Sequence, residues 1–335
     1  MSDSNKAAID GYLAWLEANQ GRSPATVTKY RGYLDRLVQC YPGRELADLT
    51  SEEIEIFAGP VAVKGGLSGR SRRALVAAVR GLYRWMTRAG LLATNPAAEV
   101  PYPKAPTRLP LPITLANAER LIWAPDLGTF AGIRDAAIFS VLIGCALRVS
   151  GLTALDEEDL VVAGDPDDRR LLLRVTEKGR KERQIPVPRE AALMLQAYLG
   201  HPELKHIDRR TDNGRHVLFV SLNNRKVPPA DYRGEARRLT RGAINQMILK
   251  HGRRAQIPGD QLHPHALRHL FGAELAEDDV DILVRQALMG HQDPRAAQVY
   301  SHLAARKLTR VVDRSNPLAK IRTPVSELLR SLGEG

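Results

Sequence analysis

From Pro96 to Pro112 the chain sets a proline every two to five residues: Pro96, Pro101, Pro103, Pro106, Pro110 and Pro112. Each ring fixes φ and removes a backbone N–H, so neither a helix nor an interior strand runs through the segment. A chain of 335 residues interrupted there folds as two bodies on an extended, semi-stiff linker, each long enough for its own core. This predicts a helical domain over residues 1–95, a linker over 96–112, a second domain over 113–316 and a tail over 317–335.

Before the linker the apolar residues follow the helical period. Ile9, Tyr12, Leu13 and Leu16 form one face. Ser23-Pro24 opens a second helix, with Ser23 as N-cap and Pro24 at the first helical position, and its face is Val27, Tyr30, Leu34 and Leu37. Thr50-Ser51-Glu52-Glu53 carries the start signal of a third, short helix. Over residues 68–89, Leu75, Val79, Leu82 and Met86 share one side, and Asn95-Pro96 is read as the stop. Arg73, Arg80, Arg84 and Arg88 lie nearly opposite, with no acidic partner four residues away. Such a stripe is a solvated face or a row of phosphate contacts.

Beyond the linker, helices are expected over Leu115–Trp123 and Gly132–Cys145, the second apolar on all sides and therefore in the core. Leu160-Val161-Val162, Arg170–Val175 and Arg183–Val187 read as strands, the last two joined by a hairpin at Gly179. Helices resume at Glu190. Residues 201–216 read as an exposed loop, residues 235–310 as mostly helical, and the tail as a helix with Val325, Leu328, Leu329 and Leu332 on one face.

Formal net charge is +11, and 44% of residues are hydrophobic. That balance favours a polyanionic partner, nucleic acid above all, over a merely basic surface. No run of about 18 apolar residues predicts a membrane span, and the polar Met1–Lys6 lacks a signal-peptide core. Cys40 and Cys145 stand far apart without ligand spacing and read as small buried residues in a reducing cytoplasm. No set of His, Cys and carboxylates has zinc-site spacing, so no metal is expected.

Five short motifs follow in order. Gly144-Cys145-Ala146-Leu147-Arg148-Val149-Ser150 sets an arginine in apolar surroundings. Glu177-Lys178-Gly179-Arg180-Lys181-Glu182-Arg183 lies between two strands. His265-Ala266-Leu267-Arg268-His269 comes next, then Gly290-His291, and Tyr300 nine residues on. Singly, each has a plainer explanation: Arg148 as half of a buried ion pair, Lys178 as a solvated side chain, His265 and His269 as structural, Tyr300 as a core aromatic with its hydroxyl bonded. In this order they resemble the tyrosine site-specific recombinases, the family of phage integrases and Xer-type recombinases, over nearly the whole chain. The resemblance implies a mainly α fold with a small antiparallel β-sheet: a helical core-binding domain that clamps DNA, then an α+β catalytic domain. It implies a catalytic set of Arg148, Lys178, His265, Arg268, His291 and Tyr300. It also implies double-stranded DNA with a specific recombination site, a homo-tetramer on two duplexes and accessory DNA-bending or directionality proteins, in the cytoplasm on the nucleoid.

The chemistry agrees. A tyrosine phenol has a pKa of ~10 and needs a proton acceptor to become a nucleophile near neutrality. Two guanidinium groups, Arg148 and Arg268, suit the two non-bridging oxygens of a phosphodiester and keep their charge at any working pH. His265, on one helix face with Arg268, is the expected acceptor for the phenol proton, and His291 a hydrogen-bond donor to the phosphate. A lysine on a hairpin can protonate the 5′ oxygen as it leaves. The resemblance places that role at Lys178, before the turn glycine, with Lys181 the local competitor and a DNA contact alongside Arg73, Arg80, Arg84 and Arg88. The bond energy stays in a 3′-phosphotyrosine, so neither ATP nor a metal cofactor is called for. One position departs from the family: an acidic residue is usual three places after the first arginine, and here Gly151 stands there. Glu157 or Asp159 is the expected substitute. A type IB topoisomerase would use the same chemistry without strand exchange, and a DNA-binding regulator without catalysis is the alternative from another class.

Overall fold

The computed structural model describes residues 2–104, 113–163, 169–176, 182–290 and 305–333, with the side chains of 305–307 and 332–333 left aside. The chain divides into two compact units, Met1–Leu109 and Pro110–Gly335.

The first unit is helical. Helix α1 (Asp3–Gln20) starts under the Ser2 hydroxyl, which accepts the Asn5 N–H, and buries Ile9, Tyr12, Leu13 and Leu16. Helix α2 (Pro24–Cys40) has Pro24 in its first turn and buries Tyr33, Leu34 and Leu37, with Val27 and Tyr30 packed at the edge. Helix α3 (Ser51–Ile56) carries a full capping box between Thr50 and Glu53. A widened turn over Phe57–Val61 leads into the single turn α4 (Ala62–Lys64). Helix α5 (Gly69–Arg88) puts Leu75, Val79, Leu82 and Met86 in the core as its period requires. It ends earlier than Asn95-Pro96. Gly90 takes a left-handed φ of 74°, and the Leu91 N–H closes on the Met86 carbonyl at 3.0 Å, a turn only glycine adopts without strain. The chain then returns across α5: Ala97 and Val100 are buried in this unit's core. Residues 97–103 are therefore part of the folded unit and not a free spacer.

In the second unit, α6 (Leu115–Trp123) and α7 (Phe130–Gly144) begin the core. Helix α7 is buried on all faces, yet it carries charge: Arg134 pairs with Asp135 at 2.6 Å, and Asp135 meets His251 at 2.9 Å. Those partners make the burial tolerable. A short helix α8 (Val149–Thr153) follows. Strands β1 (Leu160–Ala163), β2 (Arg170–Thr176) and β3 (Glu182–Pro186) form an antiparallel sheet in that order. Leu173 at its centre pairs with Leu160 on one side and Ile185 on the other. Helices α9 (Arg189–Leu199) and α10 (Pro202–Lys205) come next. The stretch 201–216 is more ordered than a bare loop. Leu204 is buried, Arg209 pairs with Glu157, and Arg215 meets Asp156 at 2.9 Å. Helices α11 (Arg241–Arg254), α12 (Pro264–Glu277) and α13 (Ile282–Met289) complete this side.

After the next described residue, Ala305, helix α14 (Ala305–Ser315) buries Val312 against Phe271, Leu275, Val284 and Leu288, a small core apart from the main one. The tail, which ends in helix α15 (Pro324–Gly333), is split in its allegiance. Leu318, Ile321 and Val325 join the main core of their own unit, whereas Leu328 and Leu329 are exposed. Among the described residues no helix is long and apolar enough to cross a membrane.

Candidate active site and nucleic-acid interface

The site begins where α7 stops. Cys145 closes the helix, and Ala146 then takes a φ of 50°, the left-handed region that costs an alanine about 1 kcal/mol. Its carbonyl accepts a hydrogen bond from the guanidinium of Arg268, a charge-assisted bond worth roughly 1.5–3 kcal/mol. The bond outweighs the strain, so the turn is held. Arg148 follows as the N-cap of α8, in extended backbone, and its side chain makes no capping bond to that helix.

Arg268 is buried in the second turn of α12. Besides the Ala146 carbonyl, it donates to the carbonyl of Met289. Arg148 donates to the next carbonyl, Gly290, at 3.1 Å. The two arginines, far apart in sequence, thus meet on consecutive peptide units at the end of α13. A third guanidinium joins them: Arg183 of β3 donates to Leu288 at 2.7 Å and to Ala287 at 3.2 Å. The last carbonyls of a helix have no partners within it, and its C-terminus is the negative pole. Three cations therefore suit this position. Gly290 ends the helix in the left-handed region, φ 62°, one residue before His291.

His265 lies in the first turn of α12, exposed at its outer edge. Crowding of its ring lowers its pKa first, and His269, Arg268, His263 and Arg148 push it the same way. The ring is neutral at neutral pH and able to accept a proton. Arg268 follows His265 by three residues in α12, and Arg148 meets Arg268 at the end of α13. His269 stands 5.9 Å from His265, ring centre to ring centre.

Lys178, Lys181, His291 and Tyr300 lie outside the described residues. Their flanks are anchored. β2 ends at Thr176 and β3 begins at Glu182, paired with each other. Gly290 is held by Arg148. On the far side of Tyr300, α14 is fixed by buried Val312 and by an Asp313–Arg170 pair at 3.0 Å. Met289 packs on α12, where a side chain at Gly272 would come within 2.8 Å of its sulfur.

At Gly151, a Cβ would lie 3.3 Å from Val175, so β2 crowds the place where a carboxylate was expected. Glu157 and Asp159 do not fill that role. Glu157 is turned to Arg209, and Asp159 to Arg215 at 2.5 Å and Arg174 at 3.4 Å. Cys145 is fully buried, and burial pushes its thiol well above the ordinary range, so it is inert packing.

The arginine stripe of α5 is only partly a free face. Arg73 and Arg80 lie over the ring of Tyr102, at 5.5 and 5.2 Å. They donate to the carbonyls of Pro103 and Val100, at 3.4 and 3.2 Å. These two therefore fasten the returning chain to α5, by cation–π contact and hydrogen bond. Arg88 covers Trp15 at 5.7 Å, and Arg84 is exposed. The tyrosine that claims Arg73 and Arg80 lies inside the proline-rich stretch, where no apolar period points to a packing partner. Arg183 is a member of the site to which the sequence motifs give no role. Its one signal is alternation: it shares the inward face of β3 with buried Ile185.

Residues 113–307 match the model of the phage integrase family, and residues 9–90 match the N-terminal SAM-like domain of phage integrases. The chain is 32% identical to the tyrosine recombinase XerC of Pseudomonas fluorescens strain Pf-5, over 93% of this chain and 97% of the relative. It is 31% identical to the tyrosine recombinase XerD of Proteus mirabilis, over 91% of each. The fold is similar to that of a lambda integrase tetramer bound to a Holliday junction, with a TM-score of 0.62 at 18% identity, over 88% of this chain and 76% of the other.

Proposed function

The chain belongs to the phage integrase family, the tyrosine recombinases, and we propose that it cuts and rejoins double-stranded DNA at a specific recombination site through Tyr300. The observation that carries this is the meeting of Arg148 and Arg268 on the consecutive carbonyls of Gly290 and Met289, next to His291. Two guanidiniums fixed side by side match the two non-bridging oxygens of one phosphodiester. Five N–H donors per guanidinium allow one side chain to serve a carbonyl and a phosphate together.

In the proposed reaction the Tyr300 oxygen attacks phosphorus and gives its proton to neutral His265. Arg148, Arg268 and His291 stabilise the charge that builds on the phosphate, each arginine by a few kcal/mol. Lys178 protonates the 5′ oxygen as its bond to phosphorus breaks. The products are a 3′-phosphotyrosine and a free 5′ hydroxyl. Attack by the 5′ hydroxyl of a partner strand reverses each transfer and restores the diester. The covalent link conserves the bond energy, so the cycle calls for no ATP.

Strand exchange needs two duplexes and, on this reading, four protomers. Leu328 and Leu329, exposed on the tail helix, are proposed to dock on a second copy of the chain. Arg84 and Arg88 on the outer stripe of the first unit, and Lys181 in the second, are proposed to contact the DNA backbone. The reaction is assigned to the cytoplasm, on the nucleoid, with accessory DNA-bending or directionality proteins as further partners.

A DNA substrate nicked close to the cleavage point tests the chemistry, because the short strand diffuses away and traps the covalent complex. Trapping by the natural chain, lost in Tyr300→Phe, is the expected result. Absence of trapping on cognate DNA would refute the proposal, and relaxation of plasmids lacking the site would point instead to topoisomerase action.

A further inference from the structure

Of the three guanidiniums on the end of α13, Arg148 and Arg268 are assigned to the phosphate, and Arg183 has no part in the reaction as written. Its place suggests one. Helix α13 has 8 residues, too few to be stable without outside support. At its start, Asp281 accepts the Leu283 N–H at 2.9 Å. At its end, four successive carbonyls, Ala287, Leu288, Met289 and Gly290, are taken by Arg183, Arg268 and Arg148. Arg183 alone holds two of them. It projects from β3, which is locked to β2 by the pairing of Ile185 with Leu173, and Ile185 is buried in the main core. Arg183 is thus a fixed post.

We propose that Arg183 is a positioning residue for strand cleavage: it sets the last turn of α13, and through it the register in which Arg148 and Arg268 meet the scissile phosphate. The physical reason is a division of labour. A phosphate entering the site draws on the two arginines that also hold Met289 and Gly290. The turn keeps its place because a third cation, not needed by the phosphate, holds the carbonyls just before them. Without Arg183 the end of α13 is free to follow its remaining partners, and a displacement of about 1 Å at a reacting centre costs on the order of 100-fold in rate. Lysine at this position keeps the charge but loses the planar fork. The inference rests on the reading of Arg148 and Arg268 as phosphate ligands.

The test uses the full chain and the nicked substrate, made with either an ordinary scissile phosphate or a neutral methylphosphonate. For the natural chain, Arg183→Ala, Arg183→Lys and Arg148→Ala, the measured quantities are DNA affinity, single-turnover rate constant and the fraction of protein trapped. Arg183→Ala is expected to bind DNA as the natural chain does and to form the covalent complex about 10- to 100-fold more slowly, with Arg183→Lys between. Its deficit should shrink on the methylphosphonate, as that of Arg148→Ala does, because a neutral phosphorus centre asks less of the guanidiniums. A lower trapped fraction at an unchanged rate constant would mean that Arg183 only maintains the fold, and would overturn the inference. So would a deficit that is equal on both substrates while that of Arg148→Ala shrinks. If Arg148→Ala itself shows no relief, the phosphate reading falls, and the inference with it. Should Arg183→Ala not fold, Arg183→Lys and Arg183→Gln carry the same comparison.

Discussion

Arg268 does two jobs with one side chain. Its guanidinium holds the strained Ala146 turn and the Met289 carbonyl, and it is assigned to the phosphate. Arg268→Ala would leave two carbonyls without their donor, which costs roughly 1–3 kcal/mol each when buried. The variant is expected to lose both stability, read as a lower urea midpoint, and covalent-complex formation, by about 100-fold or more. His265 gives a prediction in pH. Crowding of the exposed ring, with His269, Arg268, His263 and Arg148 acting the same way, lowers its pKa, so the neutral form persists below the ordinary histidine value of ~6.5. The rate of covalent-complex formation should fall in acid with a midpoint below that ordinary value, as the ring gains its proton. His265→Gln should remove that fall and lower the plateau, as single-turnover rates over a pH series would record. The candidate site was legible in part. The pair of His265 and Arg268 on one helix face follows from their spacing. That Arg268 also holds Ala146 did not, because the contact joins residues 122 apart in sequence.

At the scale of elements, α7 and the tail helix carry separate predictions. Gly132, in the first turn of α7, lies so close to the preceding loop that a Cβ would fall 1.8 Å from the Asp126 carbonyl oxygen. Backbone cannot yield as a flexible side chain does, so Gly132→Ala is expected to destabilise the second unit by about 1–3 kcal/mol, seen as a lower denaturant midpoint. The tail can be dissected because its two halves face different ways. Removing residues 318–335 would strip Leu318, Ile321 and Val325 from the core and confuse folding with assembly. Exchanging only Leu328 and Leu329, both exposed, for glutamine is expected to leave the melting temperature and single-site DNA binding unchanged while lowering synapsis, measured by mobility of two-duplex complexes. The apolar periodicity of the tail was evident in the sequence. Which of its leucines turn inward was not, since a helical repeat gives the angle between side chains but not the direction of the core.

Across the whole molecule, a net charge of +11 predicts DNA binding that weakens steeply with salt, each phosphate contact adding about 0.9 to the log–log slope. Arg84→Ala should reduce that slope by about 1 with little change in sequence preference, as a salt titration would show. Arg80→Ala should act differently, loosening the chain from Val100 to Tyr102 and lowering stability more than the slope. By itself the sequence determined the two units, the helical period of their main elements, the three-stranded sheet and the order of the motifs. These rest on local rules: proline excludes regular structure, periodicity selects helix or strand, and side-chain chemistry limits what a motif can do. Only the tertiary structure decided which charges gather at the candidate site and which brace the fold elsewhere. It turned Arg73 and Arg80 onto Tyr102, closed Gly151 against Val175, and brought Arg183 to the end of α13 beside Arg148 and Arg268. The reason is that an arginine's partner is set by what lies within reach of its guanidinium in space, and no spacing along the chain encodes that.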